Sequence, residues 1–269
     1  MNLSWLNKDS IIDIIETASQ LILQIYLGSD FMIENKNDNS PLTIADKKSN
    51  DYICSNLKTL YPNIPIISEE NINDDYQIRK NYTYAWLIDP LDGTKEFIKK
   101  NGEFTVNIGL IYKGQPVAGF VNIPVSGLTY YAIKGQGAWI KDVNNEMAKD
   151  LMDERIKYRH KSRTPRVLSS RSHMTAETER YIDKLGEVEL LNVGSSIKIL
   201  WIAENRADIY PRMNGSMEWD TCAAHAILKE SGGLMLKYEN GEEYDEIDYN
   251  KESLLNPYFV CYFPRFREK

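Results

Sequence analysis

The stretch WLIDPLDGTKEF, residues 86–97, decides how the rest of the chain is interpreted. Its apolar beginning predicts a strand that ends at Asp89. A tight turn through Pro90 and Leu91 then leads to a second carboxylate, Asp92, and a predicted helix follows. Carboxylates bind hard cations such as Mg²⁺, and the free N–H groups at a helix N-terminus bind phosphate oxygens. The stretch therefore indicates a metal-assisted phosphate-ester site, unless both aspartates only cap the turn and the helix.

Composition and charge are those of an ordinary globular chain. The 269 residues suffice for one large domain or two smaller ones, and the 42% hydrophobic and 26% charged fractions argue against wholesale disorder. The formal net charge of −7 argues against a nucleic-acid polymer as the main partner. A small anion remains compatible with it, because metal ions and basic side chains can reverse the sign of a pocket.

Cysteine usage and the first residues bear on the compartment. Cys54, Cys222 and Cys261 are widely separated and odd in number, which excludes a disulfide framework and a CxxC zinc site. The beginning, MNLSWLNKDS, lacks the basic-then-apolar order of a signal peptide, and no apolar run approaches the roughly 20 residues of a membrane span. We therefore expect a cytoplasmic protein without a transmembrane segment. Its oligomeric state and any contact with a membrane surface stay open.

Hydrophobic periodicity predicts two helices before the central stretch and both strands and helices after it. The predicted helices cover residues 11–27, 43–60, 175–185, 195–203 and 219–231, and the predicted strands cover residues 105–112, 117–123, 128–133, 138–141, 167–170, 189–192 and 208–211. The polar stretch 142–165 separates a mixed sheet from an α/β region. We therefore expect an N-terminal sub-domain, residues 1–163, and a C-terminal sub-domain, residues 164–269.

Further carboxylates stand where they could join the central pair. Glu69 follows a short apolar stretch, Asp220 opens a predicted helix, and Asp46 lies in the first turn of another. Three or four oxygen ligands suit Mg²⁺. Each residue also has a local alternative, since Asp220 could cap its helix, Glu69 could share a solvated acidic turn with Glu70, and Asp46 could complete a capping box with Thr43.

Four segments together carry a family resemblance: PLTIADKKSN (41–50), ISEE (67–70), WLIDPLDGTKEFI (86–98) and EWDTCAAHAIL (218–228). In order and spacing they resemble the lithium-sensitive, Mg²⁺-dependent phosphatases related to inositol monophosphatase, over nearly the whole chain. The resemblance implies α/β layers in an α-β-α-β-α sandwich, with the active site in the cleft between the two sub-domains. Residues 97–110, 169–173, 194–198, 207–212 and 254–259 are most similar to the bacterial 3′(2′),5′-bisphosphate nucleotidases of that superfamily.

The resemblance implies a set of metal ligands and no nucleophilic side chain. Glu69, Asp89 and the Leu91 carbonyl would hold a first Mg²⁺. Asp89, Asp92 and Asp220 would hold a second, and a weaker third ion would lie near Glu69. A water bound to such an ion loses its proton easily, and in-line attack on phosphate depends on positioning and electrostatics.

The same resemblance assigns the groups around the attacked phosphate. Gly93 and Thr94 would offer backbone N–H groups to it. The Thr94 hydroxyl, paired with Asp46, would orient and activate the attacking water, so Asp46 gains a function only if it meets Thr94. Glu69 is predicted to be catalytic as well, together with Asp46 and Thr94.

The second half of the chain carries the residues that would select the substrate. Lys198 lies three residues after Ser195 on one helix face, and the planar fork of Arg212 suits a phosphate. The resemblance implies that Ser195, Lys198 and Arg212 contact the distal phosphate of a nucleotide and that His173 lies near the nucleoside. Gly194 is a further predicted substrate-binding residue. Two alternatives concern the basic residues: Lys198 on a solvated face, and Arg212 paired with Asp208 or Glu218.

These observations lead to a Mg²⁺-dependent phosphatase that converts adenosine 3′,5′-bisphosphate to AMP and phosphate, with the sulfated relative of that nucleotide as a further substrate and with inhibition by Li⁺. The alternatives are an inositol-monophosphate or fructose-bisphosphate phosphatase, an aspartyl-phosphate phosphotransferase and a non-catalytic nucleotide sensor. Lys198 and Arg212 argue against inositol phosphate. Phosphotransferases space their two aspartates two residues apart, whereas Asp89 and Asp92 are three apart.

Overall fold

Two mixed sheets and the helices packed on them form five layers, which confirms the expected α-β-α-β-α sandwich. The computed structural model describes residues 3–28, 33–35, 41–71, 73–145, 147–153, 164–169 and 174–264. All strands of the first large sheet come from residues 66–150, and all strands of the second come from residues 166–262.

The elements are numbered in chain order. The helices are α1 (Lys8–Leu27), α2 (Ile44–Leu60), α3 (Tyr76–Arg79), α4 (Thr94–Ile98), α5 (Ala176–Asp183), α6 (Ile197–Ala203) and α7 (Glu218–Glu230). The strands are β1 (Ile33–Asn35), β2 (Pro41–Thr43), β3 (Ile66–Ser68), β4 (Tyr84–Asp92), β5 (Thr105–Tyr112), β6 (Gln115–Ile123), β7 (Leu128–Ile133), β8 (Ala138–Asp142), β9 (Lys149–Asp150), β10 (Arg166–Ser169), β11 (Glu189–Asn192), β12 (Ile209–Arg212), β13 (Leu234–Glu239), β14 (Glu242–Glu246) and β15 (Phe259–Tyr262).

The first large sheet has seven strands in the order β3-β4-β5-β6-β7-β8-β9, and α1 and α2 cover one of its faces. β3 and β4 are parallel, and the other neighbours are antiparallel. The predicted apolar stripe of α1 faces this sheet, with Ile11, Ile15 and Ile22 fully buried. The helix ends at Gly28 as predicted, where the Gly28 N–H donates to the Ile25 carbonyl at 3.1 Å.

Helix α1 departs from one expectation. Within the described part of the chain it is the one helix that by length and composition alone could cross a membrane. Its length and composition come closer to those of a membrane span than the sequence pattern led us to expect. Most of its apolar side chains lie in the core against α2, β5 and β6, which is the place of a core helix of a folded domain.

The second large sheet has six strands in the order β11-β10-β12-β15-β13-β14. Strand β15 shows how the layers meet, because its side chains alternate between the two faces. Val260 and Tyr262 pack in the cluster that contains Tyr181 of α5, whereas Cys261 packs on the α6–α7 side. Helices α6 and α7 therefore form the middle layer, between the two sheets.

Two glycines allow α7 to lie directly on the first sheet. A Cβ atom at Gly119 in β6 would stand 2.0 Å from the Ala223 carbonyl oxygen, and one at Gly109 in β5 would stand 2.6 Å from Cys222 Sγ. No side chain fits at such distances. This close contact fixes the height of α7, the helix that carries Asp220, above β5 and β6.

The sequence prediction missed some strands. It placed none after residue 233, where the structure has β13, β14 and β15, and none at β1 and β2. Strand β14 reads EEYDE and is mostly exposed at the edge of its sheet, so it lacks the apolar alternation that identifies a half-buried strand. The predicted helix 195–203 starts later, at Ile197, because Ser195 has a φ of +49°, outside the helical region.

Candidate active site

The central carboxylates lie on a β-bulge, which corrects the prediction of a strand ending in a turn. Strand β4 continues past Asp89 to Asp92, pairing Asp89 with Asn107 and Asp92 with Thr105 on β5. Two residues of β4, one of them Pro90, therefore stand opposite a single residue of β5. A bulge suits a proline, which has no N–H to offer the ladder, and it redirects the side chains that flank it.

The bulge is fixed by its own polar atoms and by α2. The Leu91 N–H donates to Asp89 Oδ1 at 3.0 Å, and the Ser49 hydroxyl donates to the Pro90 carbonyl at 2.9 Å. The Thr94 hydroxyl donates to the Leu91 carbonyl at 3.4 Å. Gly93 has a φ of +97°, which a residue with a side chain rarely adopts, and it turns the chain into α4.

Five carboxylates from four separate segments come within electrostatic reach of one another. Burial raises the pKa of Asp89 well above its ordinary value, and the negative charges of Glu69, Asp92, Asp220 and Asp46 raise it further. Asp89 and Asp46 are buried, with exposed fractions of 1% and 0%. The fold thus brings together all the acidic residues that the sequence predicted to act together.

Asp92 and Asp220 each keep hydrogen bonds from backbone N–H groups. Burial raises the pKa of Asp92 to about 6, although the positive charge of Lys198 and the Ser196 N–H, 2.5 Å from Asp92 Oδ2, act in the opposite direction. Burial, and then the charge of Asp92, raise the pKa of Asp220 to about 8. Asp220 Oδ2 also accepts from the Met217 N–H at 2.9 Å, so Asp220 belongs to the cluster and caps α7 as well.

The cluster fits a hard cation by its chemistry. Among the described residues, no group of three or more His, Cys, Asp or Glu side chains is already arranged as a ligand set. The donors are carboxylate oxygens without a histidine or thiolate, a set that favours Mg²⁺ over softer metals. These buried carboxylates repel one another and raise one another's pKa, and a bound cation would reduce that repulsion. The fit of a cation to this site therefore follows from the charge of the cluster.

We expect Mg²⁺ to stabilise the protein more at pH 8 than at pH 5. A carboxylate whose pKa in the folded state lies above its ordinary value stabilises the fold at low pH, and that contribution is lost as the pH rises to the raised pKa. For Asp92 the loss extends to about pH 6 and for Asp220 to about pH 8. Each pH unit between the ordinary and the raised pKa corresponds to about 1.4 kcal/mol in the free energy of unfolding. Mg²⁺ relieves a charge that is present only at the higher pH.

The measurement is the melting temperature at both pH values, with EDTA and with Mg²⁺. The comparison uses the increase caused by Mg²⁺ at each pH, so that the titration of other groups cancels. Equal increases at pH 5 and pH 8 would contradict the expected coupling between the buried carboxylates and the ion.

Lys198 is buried at the cleft, so its alternative placement on a solvated face is wrong. Only 6% of it is exposed, and its Nζ donates to the Val193 carbonyl at 3.1 Å. Burial and then the positive charge of Arg212 lower the pKa of Lys198 to about 8. Lys198 and Arg212 repel each other in one wall of the cleft, and an anion with more than one negative charge would be attracted to both.

Arg212 lies beside Lys198 and is free of the two alternative partners. Its Nη2 donates to the Gly215 carbonyl at 3.0 Å, and its Nη1 lies 3.5 Å from the Tyr210 hydroxyl. Asp208 is instead the partner of Arg166, and Glu218 is that of Lys251. In the described part of the chain, no acceptor takes up the Arg212 Nε–H.

The segment before α6 connects both walls of the cleft. The Gly194 N–H donates to Glu103 Oε2 at 2.9 Å, and a Cβ atom at Gly194 would stand 2.6 Å from the Glu103 carbonyl oxygen. The Ser196 hydroxyl donates to Asn107 Oδ1 at 2.9 Å while its N–H binds Asp92. No local pattern in the sequence points to Ser196 or Glu103, because both act through contacts with segments about 90 residues away.

One cleft gathers most of the predicted substrate and metal residues. Those that line it are Asp92, Gly93, Gly194, Ser195, Lys198, Arg212 and Asp220. Asp46 and Asp89 are buried within electrostatic reach of these residues. His173 lies outside the described residues.

Comparison with known proteins places this architecture in a family. The inositol monophosphatase family matches residues 8–258. The 3′(2′),5′-bisphosphate nucleotidase CysQ of Escherichia coli strain K12 is 39% identical over 253 residues, covering 93% of this chain and 97% of that protein. The protein of that name from Buchnera aphidicola is 37% identical over 234 residues, covering 87% and 85%.

Solved structures share the fold of this chain. CysQ from Bacteroides thetaiotaomicron, described as a bacterial member of the inositol monophosphatase family, is 41% identical with a TM-score of 0.78, covering 94% of this chain and 96% of that one. The extragenic suppressor protein suhB from Bartonella henselae, with 20% identity, a TM-score of 0.73 and coverages of 97% and 95%, shares the fold.

Proposed function

Because this chain belongs to the inositol monophosphatase family, we propose that it is a Mg²⁺-dependent phosphatase that removes the 3′-phosphate of adenosine 3′,5′-bisphosphate. The products are AMP and phosphate. One observation carries the proposal: a single cleft has a wall of mutually repelling carboxylates and a second wall with Lys198 and Arg212. The relatives named as bisphosphate nucleotidases support the same substrate.

The carboxylate wall would hold two ions, with a third near Glu69. Glu69, Asp89 and the Leu91 carbonyl would hold the first, and Asp89, Asp92 and Asp220 the second. Bound Mg²⁺ supplies an acidic water and neutralises charge on the phosphate and the leaving oxygen. Inhibition by Li⁺ is part of this proposal.

The residues of the chain position the reacting groups. Thr94 would direct its hydroxyl at the attacking water with Asp46 as its partner and Glu69 beside them, and the N–H groups of Gly93 and Thr94 would donate to the attacked phosphate. In the structure the Thr94 hydroxyl donates to the Leu91 carbonyl at 3.4 Å, so pairing with Asp46 would require this hydroxyl to turn. In-line displacement by water then needs no covalent intermediate.

Lys198 and Arg212 would select a doubly phosphorylated substrate. Burial and then the charge of Arg212 lower the pKa of Lys198, and an incoming 5′-phosphate would offset both effects. The planar guanidinium of Arg212 presents its donors in one plane. Gly194 and Ser195 complete this wall, and His173 would lie near the nucleoside. The sulfated relative of the nucleotide carries the same 3′-phosphate and is a second proposed substrate.

The test compares substrates with and without the distal phosphate. We expect Arg212→Met to raise the KM for adenosine 3′,5′-bisphosphate by about tenfold to hundredfold, as expected for a charged hydrogen bond, and to change the KM for 3′-AMP by less than about threefold. The measurement is phosphate release with Mg²⁺ present. Arg180→Met, at an exposed position of α5, is the control and should change neither.

The same assay separates the rival functions. Inositol 1-phosphate and fructose 1,6-bisphosphate are run beside the nucleotide, each with and without Li⁺. Faster turnover of inositol phosphate would contradict the substrate proposal, and trapping of a phospho-enzyme would contradict the mechanism. Absence of phosphate release from all three, with retained nucleotide binding, would favour the sensor.

A further inference from the structure

A buried arginine joins the segment after Glu69 to a distant loop. Arg79, the last residue of α3, is 4% exposed, and its Nε donates to the Asp74 carbonyl at 2.9 Å. Its Nη1 donates to Asn250 Oδ1 at 2.8 Å and its Nη2 to the Glu252 carbonyl at 3.2 Å. The Asn250 side-chain amide donates back to the Arg79 carbonyl at 2.7 Å. Side chain and backbone of Arg79 are thus both committed to this loop.

The loop in turn holds the first residue of α7. The Glu218 carboxylate is fully buried and accepts from the Asn250 N–H at 2.5 Å and from the Lys251 N–H at 3.1 Å. Lys251 Nζ lies 2.5 Å from the same carboxylate, and the Glu218 N–H donates to the Leu254 carbonyl at 2.9 Å. A buried carboxylate with several donors has little freedom to move, because each lost bond leaves a charge unsatisfied.

At its other end, this network begins beside Glu69. Asn73 closes the loop after β3 by accepting from the Ser68 N–H at 3.0 Å and donating to the Ser68 carbonyl at 2.9 Å. Asp74, which binds Arg79, follows directly. The network therefore starts next to one proposed metal ligand, Glu69, and ends two residues before another, Asp220.

We propose that Arg79 is a positioning residue that sets the separation between Glu69 and Asp220 before a cation binds. Arg79 acts through residues 250–252 and Glu218. We name Arg79, residues 250–252 and Glu218 together the Arg79 latch. Repulsion among the clustered carboxylates favours movement of α7 away from β4. The latch opposes that movement, so that Mg²⁺ binds a site already assembled. The inference rests on the proposed function in one respect, that Glu69 and Asp220 hold Mg²⁺.

The test measures Mg²⁺ affinity directly. Arg79→Met should weaken Mg²⁺ binding in isothermal titration calorimetry by about threefold to thirtyfold, the range expected for a residue that acts on a site through intermediate contacts. The Mg²⁺ concentration for half-maximal phosphate release should rise in parallel, with kcat at saturating Mg²⁺ nearly unchanged. Arg166→Met is the matched control, because Arg166 is also buried at 6% exposure but binds Asp208, the residue before β12. It should lower the melting temperature without changing Mg²⁺ affinity.

A second variant keeps the test decisive if Arg79→Met fails to fold. Asn250 has a φ of +60°, so Asn250→Gly keeps the backbone conformation while removing both side-chain bonds to Arg79. It should shift Mg²⁺ affinity in the same direction. Unchanged affinity in the folded latch variants, or an equal loss in Arg166→Met, would overturn the inference.

The outcomes for the wild-type chain separate this inference from the proposed function. Mg²⁺ binding that weakens in the latch variants, without hydrolysis of the nucleotide by the wild type, would overturn the function and support the latch. A wild-type chain that binds no Mg²⁺ would overturn both.

Discussion

Asp92→Asn is expected to lower phosphate release from the nucleotide on the order of 10³-fold, about 4 kcal/mol in activation free energy. Asp92 lies where the two walls of the cleft meet, next to the carboxylates and under the Ser196 N–H. The amide oxygen of asparagine can still accept that N–H, whereas the charge that would hold the second ion is gone. The measurement is kcat at saturating Mg²⁺, with nucleotide affinity measured separately by calorimetry.

Loss of activity in this variant should occur together with a gain in stability. Removing one of the clustered charges relieves repulsion, so the metal-free variant should melt at a higher temperature than the wild type near pH 8. This distinguishes a lost catalytic charge from a damaged fold. Asp183→Asn, at the exposed end of α5, should leave both quantities unchanged. Retained activity in Asp92→Asn would contradict its assignment as a ligand.

Gly119→Ala is expected to destabilise the protein by more than about 4 kcal/mol, which is exceptional for a single methyl group. The new Cβ would stand 2.0 Å from the Ala223 carbonyl oxygen, and backbone atoms on both sides of the contact cannot turn aside as a flexible side chain can. Helix α7 would have to rise from the sheet. The melting temperature should fall by roughly 10 °C, as followed by circular dichroism.

Gly28→Ala is the matched control for this substitution. At Gly28 a Cβ atom would make contacts no closer than 3.4 Å, and φ is −69°, so alanine fits. Its effect should stay within about 1 kcal/mol. A Gly119→Ala protein as stable as Gly28→Ala would show that the contact between β6 and α7 is looser than the structure has it.

Local patterns predicted the elements that carry their own signal. The apolar periodicity predicted the long helices α1, α2 and α7. The motifs around residues 86–97 predicted the carboxylates that the fold brings together. Lys198 could have been recognised as buried from its surroundings, since α6 reads IKILWIA and offers almost no polar face.

Other features depend on contacts that local patterns do not contain. Taken alone, Pro90 indicates a turn. In the structure the residues before and after it pair with β5, so the segment is a β-bulge instead. Glu103 and Arg79 have no local pattern at all, since their partners lie about 90 and 170 residues away. Strand β14 exists because β13 pairs with it, although its own residues are largely polar.

The position of α7 has a consequence for how the protein unfolds. Ten of its thirteen residues are buried, because one side rests on the first sheet and the other closes the core of the second. The two large sheets therefore share this helix, and neither sheet keeps a complete core when the other is removed. Unfolding should be a single cooperative event, in which the cleft is lost at the same moment as the sheets that border it.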